Sequence, residues 1–321
     1  PYVKQQILDF YKQNPEEAKA QFGDDPFDVK NVMKYWVRSK DNDMRIIPTD
    51  TLYVKIDKEA VKKSGMLMAS DSIPDKMVIS LAGKRVLGKG ELMMLEMISQ
   101  CNWTRPLYIA TTVGADNYMN LGDNFVQEGL AYRITPFTTK NPGVKSFDTE
   151  KAYNNLMKRY KWGGLEKPGL YLDETVMRMC YTHRHLFAML ALELINENKK
   201  DKALEVLDKC LKVIPDYNVP MTYISGGADL ARAYALAGQK AKAAKLLDAV
   251  WKNAEQYALW YVSLKGARFT QAQSDFLRQA VMMQSTAELT SMIDQKLAAK
   301  RMQRLNALYT EYRNKGGVEL K

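Results

Sequence analysis

The sequence predicts an α+β fold with a mixed N-terminal half and an all-helical C-terminal half. In the first half, Leu52, Val54 and Ile56 alternate with their neighbours in the way that a strand with one buried face requires. From about Thr149 onward this alternation is absent, and nearly every segment has the apolar spacing of a helix. The 321 residues suit two domains. We predict a helical lead-in at 1–30, an α/β domain at 31–150 and a helical domain at 151–321.

Two short apolar runs in the first half, KMVISL and RPLYIATTV, flank the helical segment ELMMLEMISQ. A strand, a helix and a strand in this order most simply form a right-handed crossover between parallel strands. The run GLAYRITPF predicts a further strand that ends at Pro136, because proline cannot donate to a sheet ladder. We therefore expect a small mixed sheet in the α/β domain.

The second half repeats a helical-hairpin pattern. When Ala203 is set at the small-residue position of a tetratricopeptide repeat, apolar residues fall on the packing positions of both helices. They are Phe187, Leu190, Ala191 and Leu194 in the first helix, and Leu207 and Cys210 in the second, which Pro215 ends. The pattern recurs with Leu230, Ala231, Tyr234, Ala243, Leu247 and Val250. We predict tetratricopeptide-like helical repeats.

A third, looser pair of helices is predicted from YALWYVSLKG and AQSDFLRQAVMM. It precedes a long basic helix near the C-terminus. Repeat arrays need a terminal element with a polar outer face. We expect the basic helix to be that capping helix.

The positive charge of the chain is mostly dispersed. The formal net charge is +10, and the densest basic stretch is the C-terminal helix, with Lys296, Lys300 and Arg304 on one side. Such a face usually only solvates a helix, and no nucleic-acid-binding motif accompanies it, so we expect no nucleic-acid partner. The three cysteines are widely spaced, which argues against a disulfide framework and does not decide the compartment.

Two motifs resemble cofactor or metal sites but lack an essential ligand. The segment GKRVLGKG fits the first seven positions of a phosphate-binding P-loop, yet Gly90 stands where a Ser or Thr must bind magnesium. In CYTHRH, Cys180 and His183 share a helical face, but His185 points about 200° away from His183. These are the only two histidines, so a catalytic relay or a zinc site has little material. We predict no cofactor, no metal and no catalytic residue in this chain.

The loop GADNYMNLGDN offers one set of candidate ligand-binding residues, because ligands settle beyond the carboxyl ends of parallel strands. It presents Asp116, Asn117, Tyr118 and Asn120, and Tyr118 could give a flat face to a sugar or a peptide side chain. Glu128 and Arg133 are expected nearby, with a mutual ion pair as the alternative use of their charges. A plain turn-rich connector is the alternative interpretation of the loop.

The concave face of the repeats offers a second candidate surface. The predicted register places His185, Asn196 and Arg232 there, beside Leu192, Ile195, Ala228 and Leu236. Because so large an apolar share is unfavourable in water, we expect the face to be partly filled by other parts of the chain.

Three segments carry a family resemblance: ELMMLEMISQCNWTRPLYIATTVG, FVQEGLAYRITP and YLDETVMRMCYTHRHLFAMLA. They resemble the C-terminal soluble part of a bacterial family of polytopic membrane proteins, a domain of unknown function that is similar to the protein O-mannosyltransferases. The resemblance implies a place on the periplasmic face of the inner membrane, after a last transmembrane helix, which would explain a chain that begins at Pro1. In such transferases the catalytic acid lies in the membrane bundle, so no catalytic residue carries over.

These observations favour a non-catalytic accessory domain of a glycosyltransferase-like membrane protein. Its partner would be an acceptor protein, a glycan or another subunit, bound by the repeats or by the α/β loop, with the membrane reached through a preceding transmembrane region. The alternative is an independent soluble periplasmic enzyme that uses the α/β half and recruits through the repeats. That alternative needs a convergent polar site with perturbed pKa values.

Overall fold

The computed structural model describes residues 2–66, 72–140 and 145–318, and the chain divides into two compact units, Pro1–Asp148 and Thr149–Lys321. The helices of the first unit are α1 (Tyr2–Gln13), α2 (Pro15–Phe22), α3 (Val29–Val32), α4 (Lys58–Lys63) and α5 (Lys89–Gln100). A π-helical turn, Met33–Val37, continues α3. The strands are β1 (Thr51–Lys55), β2 (Lys76–Ser80), β3 (Tyr108–Ala110), β4 (Phe125–Gln127) and β5 (Ala131–Ile134). The predicted helical lead-in is part of the first unit.

The five strands of the described residues form two separate antiparallel sheets. β1 pairs with β2, which places Leu52 opposite Ile79, and the second sheet has the order β3-β5-β4. The α+β class is confirmed, but the predicted parallel crossover is wrong, because β2 and β3 lie in different sheets. Helix α5 connects the two sheets instead. Apolar periodicity identifies a strand but does not say which strand it pairs with.

One apolar core holds the β1–β2 sheet and α5 together. Leu52 and Ile79 from this sheet and Leu95 and Ile98 from α5 are fully buried in it. A smaller cluster lies beside α1 and α2, where the Phe22 and Trp36 rings stack at 5.0 Å. The lead-in helices therefore pack through their own aromatic contacts.

The described part of the second unit contains helices and turns but no strand. Its helices are α6 (Thr149–Asn154), α7 (Glu174–Asn196), α8 (Lys200–Val213), α9 (Gly227–Leu236), α10 (Lys240–Ser263), α11 (Gly266–Ser291) and α12 (Gln295–Asn314). Among the described residues, α7 packs with α8, α9 with α10 and α11 with α12 as three pairs, and α10 also packs extensively against α11. The first helices of the pairs contact one another in the order α7, α9, α11.

The predicted packing positions of the first two pairs are confirmed. All are buried, with at most 1% exposure: Phe187, Leu190, Ala191, Leu194, Ala203, Leu207, Cys210, Leu230, Ala231, Tyr234, Ala243, Leu247 and Val250. The small residues Ala191 and Ala203 stand on the two helices of the first pair and are both fully buried. Helical spacing alone was enough to find the buried face of each helix.

The predicted third pair is confirmed only in part: its two segments pack together in one core with Ala258, Val262, Phe276 and Leu277, but the first segment is not a separate helix. No glycine or proline interrupts Lys240–Ser263, so YALWYVS forms the end of α10 instead of a separate helix. The third pair is α11 and α12, and the Tyr312 ring of α12 stacks on Phe276 of α11 at 4.1 Å. The basic helix is therefore also a packed member of a pair. Its Arg301 is buried, with Nη2 3.1 Å from Asp248 Oδ1.

Candidate functional site

The predicted binding loop after β3 is only partly open. Asp116 and Asn117 are exposed. Tyr118 is half-buried, and its ring lies edge-on to Phe125 with 4.9 Å between the ring centroids. Its contacts with Phe125 and Tyr132 thus cover part of the ring that was expected to receive a ligand.

Asn120 ties the same loop to the end of β2. Its Nδ2 donates to the carbonyls of Ser80 and Ala82 at 3.0 and 3.2 Å. We expected this loop at the carboxyl edge of a parallel sheet. It does not lie there, because β2 and β3 belong to different antiparallel sheets. Asn120 has a structural role here, as an anchor for the loop.

Glu128 and Arg133 form the ion pair that the sequence left as an alternative. Arg133 Nε lies 3.1 Å from Glu128 Oε1, and both side chains are more than 90% buried. The Tyr108 hydroxyl donates to Glu128 Oε2 at 2.8 Å, and burial raises the pKa of this hydroxyl above its usual value. The six predicted residues of the first unit therefore do not converge on one accessible site.

The second predicted surface, the concave face of the repeats, lies on α7 and α9, where the structure brings His185 and Asp229 together. His185 on α7 has its Nδ1 2.9 Å from Oδ2 of Asp229 on α9. The hydrogen bond with Asp229 raises the pKa of His185 above its ordinary value, and partial burial opposes this. Arg232, one turn further along α9, is exposed, as is Asn196 at the end of α7. We call this surface the repeat groove, after His185, Asn196, Asp229 and Arg232.

The groove is neither filled nor bare. Leu192, Ile195 and Ala228 are half-buried, while Leu236 is 40% exposed. The expected covering of these apolar side chains is thus incomplete. Apolar area remains available beside Arg232.

A buried guanidinium fixes the position of His185. The neighbouring Arg184 is fully buried, and its Nη2 donates to the carbonyl of Ile214 at 3.0 Å and to that of Val219. Its Nη1 donates to the carbonyl of Pro220 at 3.3 Å. These bonds hold the segment between α8 and α9 against α7, and burial lowers the pKa of Arg184 from its usual value. The backbone of Ile224, in the same segment, hydrogen-bonds His185.

An apolar pocket of about 400 Å³ continues this surface on α11. Six residues line it, namely Tyr223, Ser274, Leu277, Arg278, Val281 and Met282. Tyr223 directly precedes Ile224, so the pocket adjoins the repeat groove. Val281 is 49% exposed, which leaves it accessible to a ligand. We call this cavity the α11 pocket.

Exposed aromatic rings lie close to the α11 pocket. Tyr261 stacks with Tyr257 at 6.2 Å and contacts Trp260 at 4.9 Å, and Trp260 is 54% exposed. Burial raises the pKa of Tyr261 first, and the nearby Asp275, Tyr257 and Tyr223 raise it further. Tyr223 therefore lies close to both the cluster and the pocket.

The sequence analysis missed Asp229, Tyr223 and Val281. The signal for the aromatic cluster was present in YALWYVS, where three aromatic residues share one side of a helix, but that segment was assigned to a separate helix. Asp229 had no signal of its own. Its role depends on the approach of α9 to α7, which spacing along one helix does not reveal.

The predicted absence of a metal cluster concerns Cys180, His183 and His185. Cys180 is buried, the His183 ring lies edge-on to Trp162 at 5.4 Å, and His185 pairs with Asp229. Within 2–66, 72–140 and 145–318, no group of three or more His, Cys, Asp or Glu residues converges as metal ligands would. His183 and His185 have separate partners instead.

The fold and this surface define a helical-repeat unit that follows a small α+β unit. Residues 2–152 match the sequence family named TMEM260-associated domain 2, so the match covers the first unit and stops just inside the second. Comparisons with curated proteins and with solved structures gave no match. In the described part of the chain, no helix is long and apolar enough to cross a bilayer.

Proposed function

We propose that this chain is a non-catalytic binding domain whose repeat groove and α11 pocket hold an extended segment of a partner or acceptor protein. The observation that carries the proposal is the apolar α11 pocket beside exposed aromatic rings. Peptide-binding surfaces combine such an apolar anchor pocket with a few polar groups that fix orientation. His185, Asp229 and Arg232 are those polar groups.

The chemistry of the surface specifies the segment that it binds. The α11 pocket takes one bulky apolar side chain, against Leu277, Val281 and Met282. Arg232 takes part in no ion pair or hydrogen bond with the described residues. Its guanidinium can therefore donate two parallel hydrogen bonds to one carboxylate of a ligand. The ligand is therefore an extended peptide with an apolar anchor and an acidic residue.

The setting of this binding is part of the proposal. The resemblance to a bacterial family similar to the protein O-mannosyltransferases supports a place beside a glycosyltransferase-like membrane region, on the periplasmic face of the inner membrane. In that setting the chain presents an acceptor or partner protein, and the reaction takes place outside this chain. A reporter fused to the chain in its native host checks the compartment; activity only of a cytoplasmic reporter contradicts it.

The test begins with selection from displayed random peptides and continues with isotherms of synthetic winners against the whole chain. Val281→Glu places a charge in the pocket and is expected to weaken binding at least tenfold, because the apolar anchor then faces a carboxylate. The matched control is Val176→Glu, which makes the same change at a residue on α7 that is 41% exposed and about half a helical turn away from His185 in angle.

Two outcomes would contradict the proposal. Equal weakening by both glutamate variants would mean that the effect is general and not local to the pocket. The other outcome is that no peptide binds, while the chain binds to a glycan array and Trp260→Ala abolishes that binding. The aromatic cluster would then bind sugars, and the peptide proposal would be wrong.

A further inference from the structure

A second cavity, of about 690 Å³, lies entirely within the first unit. It opens between the start of α5, the segment from Arg45 to Asp50, and Val3 of α1. This volume is in the range of pockets that hold small molecules. We call it the α5 cleft.

The P-loop-like segment Gly83–Gly90 forms one wall of the α5 cleft, but its phosphate-binding groups are already occupied. The backbone N–H of Gly88 donates to Glu91 Oε2 at 2.7 Å, and the Lys84 ammonium bonds Glu91 Oε1. The Lys84 hydrogen bond is the main cause that lowers the pKa of Glu91, followed by the Gly88 hydrogen bond. A carboxylate of the chain itself thus takes the place that a nucleotide phosphate would need.

What this segment gives to the α5 cleft is apolar surface. Val37, Ile47, Leu81, Leu87 and Leu92 line the walls and are buried or half-buried. At the mouth, Val86 is 82% exposed and Ile46 is 41% exposed. Apolar side chains gathered around an open cavity favour a ligand that removes them from water.

The charge at the mouth is positive. Arg45 and Arg85 both line the cleft and are exposed. Arg45 Nε donates to the Ser39 carbonyl at 2.9 Å, and in the described part of the chain neither guanidinium takes part in an ion pair. One acid lines the cleft, Asp50, and it accepts a hydrogen bond from the Thr51 hydroxyl at 3.0 Å. Two arginines are therefore available to an anion.

We propose that the α5 cleft binds an anionic amphiphile, with its single apolar chain along the cleft and its phosphate or carboxylate head between Arg45 and Arg85. The apolar walls exclude a free inorganic anion as the sole ligand, and the two guanidinium groups favour a charged head over a neutral one. This site is independent of the repeat groove and of the peptide that the groove binds.

Calorimetric titration of the whole chain with decyl phosphate, kept monomeric, tests the site. We expect decyl phosphate to bind at one saturable site per protein chain, and decanoate to bind at the same site. Decyl maltoside should bind with at least tenfold lower affinity, and inorganic phosphate should not saturate the site. Arg45→Gln with Arg85→Gln should weaken decyl phosphate at least tenfold. The control, Arg105→Gln with Arg159→Gln, removes the same charge at two exposed residues outside the cleft and should change little.

The apolar part has its own matched pair. Val86→Asn at the mouth should weaken the binding of decyl phosphate severalfold. The alkyl chain of the ligand then loses an apolar contact with Val86. Val78→Asn, on β2 and 60% exposed, lies outside the cleft and should leave the affinity unchanged.

Three results would overturn the proposal. One is equal affinity for decyl phosphate and decyl maltoside, which would show that the arginines do not bind the charged head group. Another is equal loss in the arginine pair and its control. The third is binding to anionic vesicles without saturable binding of the monomer, which would show a surface that adsorbs to membranes and not a cleft for one molecule.

Discussion

His185 on α7 and Asp229 on α9 form a cross-helix pair, with 2.9 Å between Nδ1 and Oδ2. The first two helix pairs are thus linked at the surface by a histidine and a carboxylate, and the hydrogen bond between them raises the pKa of the histidine. Both side chains are nearly half exposed, so solvent screening keeps the contribution below about 1 kcal/mol.

This pair predicts a pH-dependent stability. The pKa of His185 is raised in the folded state, so its stabilisation is fully present below the unfolded value of about 6.5 and is lost as the pH rises through the folded value. Asp229→Asn should therefore lower the melting temperature more at about pH 5.5 than at pH ~9. Melting curves of both proteins across this range measure the difference.

Asp201→Asn is the control for that experiment. Asp201 also lies in the first turn of a helix, α8, where a negative charge interacts favourably with the helix dipole. The decrease in melting temperature that Asp201→Asn causes should be nearly constant over the same pH range. A loss in Asp229→Asn that is equally constant would show that the His185 pair contributes nothing.

Arg184 predicts a large and local effect. Arg184→Met removes the donors to the carbonyls of Ile214, Val219 and Pro220. Ile214 and Val219 are buried, and a buried carbonyl left without a partner is costly. We expect a loss of about 2–4 kcal/mol in urea unfolding. Arg178→Met, an exposed position on the same helix, should stay within about 0.5 kcal/mol. Equal stability of the two variants would contradict the structural role of the guanidinium.

Ala203 tests the packing of the first helix pair. The residue is fully buried on α8, so Ala203→Leu has no space and should cost about 1–3 kcal/mol by overpacking. Ala244→Leu makes the same change at an exposed residue of α10. Thermal melts compare the two, and an unchanged melting temperature in Ala203→Leu would argue against the close approach of these helices.

The ion pair of Glu128 and Arg133 predicts a structural and not a ligand-binding role. Arg133→Met leaves a buried carboxylate without its guanidinium, and we expect a loss of about 3–5 kcal/mol. Adding Glu128→Gln should recover part of this loss, because no buried charge then remains unpaired. Arg105→Met, exposed in the same unit, is the control. Urea unfolding of the unchanged protein, the two single variants Glu128→Gln and Arg133→Met, and the double variant gives the coupling energy.

Much of the second unit was predictable because helical spacing determines which residues are buried. Phe187, Leu190 and Leu194 follow that spacing, and all are fully buried. The end of α10 was not predictable in the same way. The aromatic run from Tyr257 to Tyr261 has the composition of a new helix, and only the lack of a breaking residue shows that it continues the old one.

Sheet pairing and the candidate sites depended on contacts between distant segments. Leu52 and Ile79 each have a clear strand pattern, yet nothing in either run states that they pair with each other. The partner of His185 is likewise set by the approach of α9 to α7. The α5 cleft could not be predicted either, because Arg45 and Arg85 are brought to one opening by the fold.

The reach of Arg184 has a consequence for how the second unit can be divided. The first repeat in the sequence ends at Pro215. The buried Arg184 of this repeat donates hydrogen bonds to the carbonyls of Val219 and Pro220, which lie beyond that point. A fragment cut after the first repeat would keep the arginine and lose two of its acceptors. The smallest segment that keeps all three acceptors extends at least to Pro220. Because α9 also packs against α7, the first two repeats are expected to unfold as one cooperative block instead of one after the other.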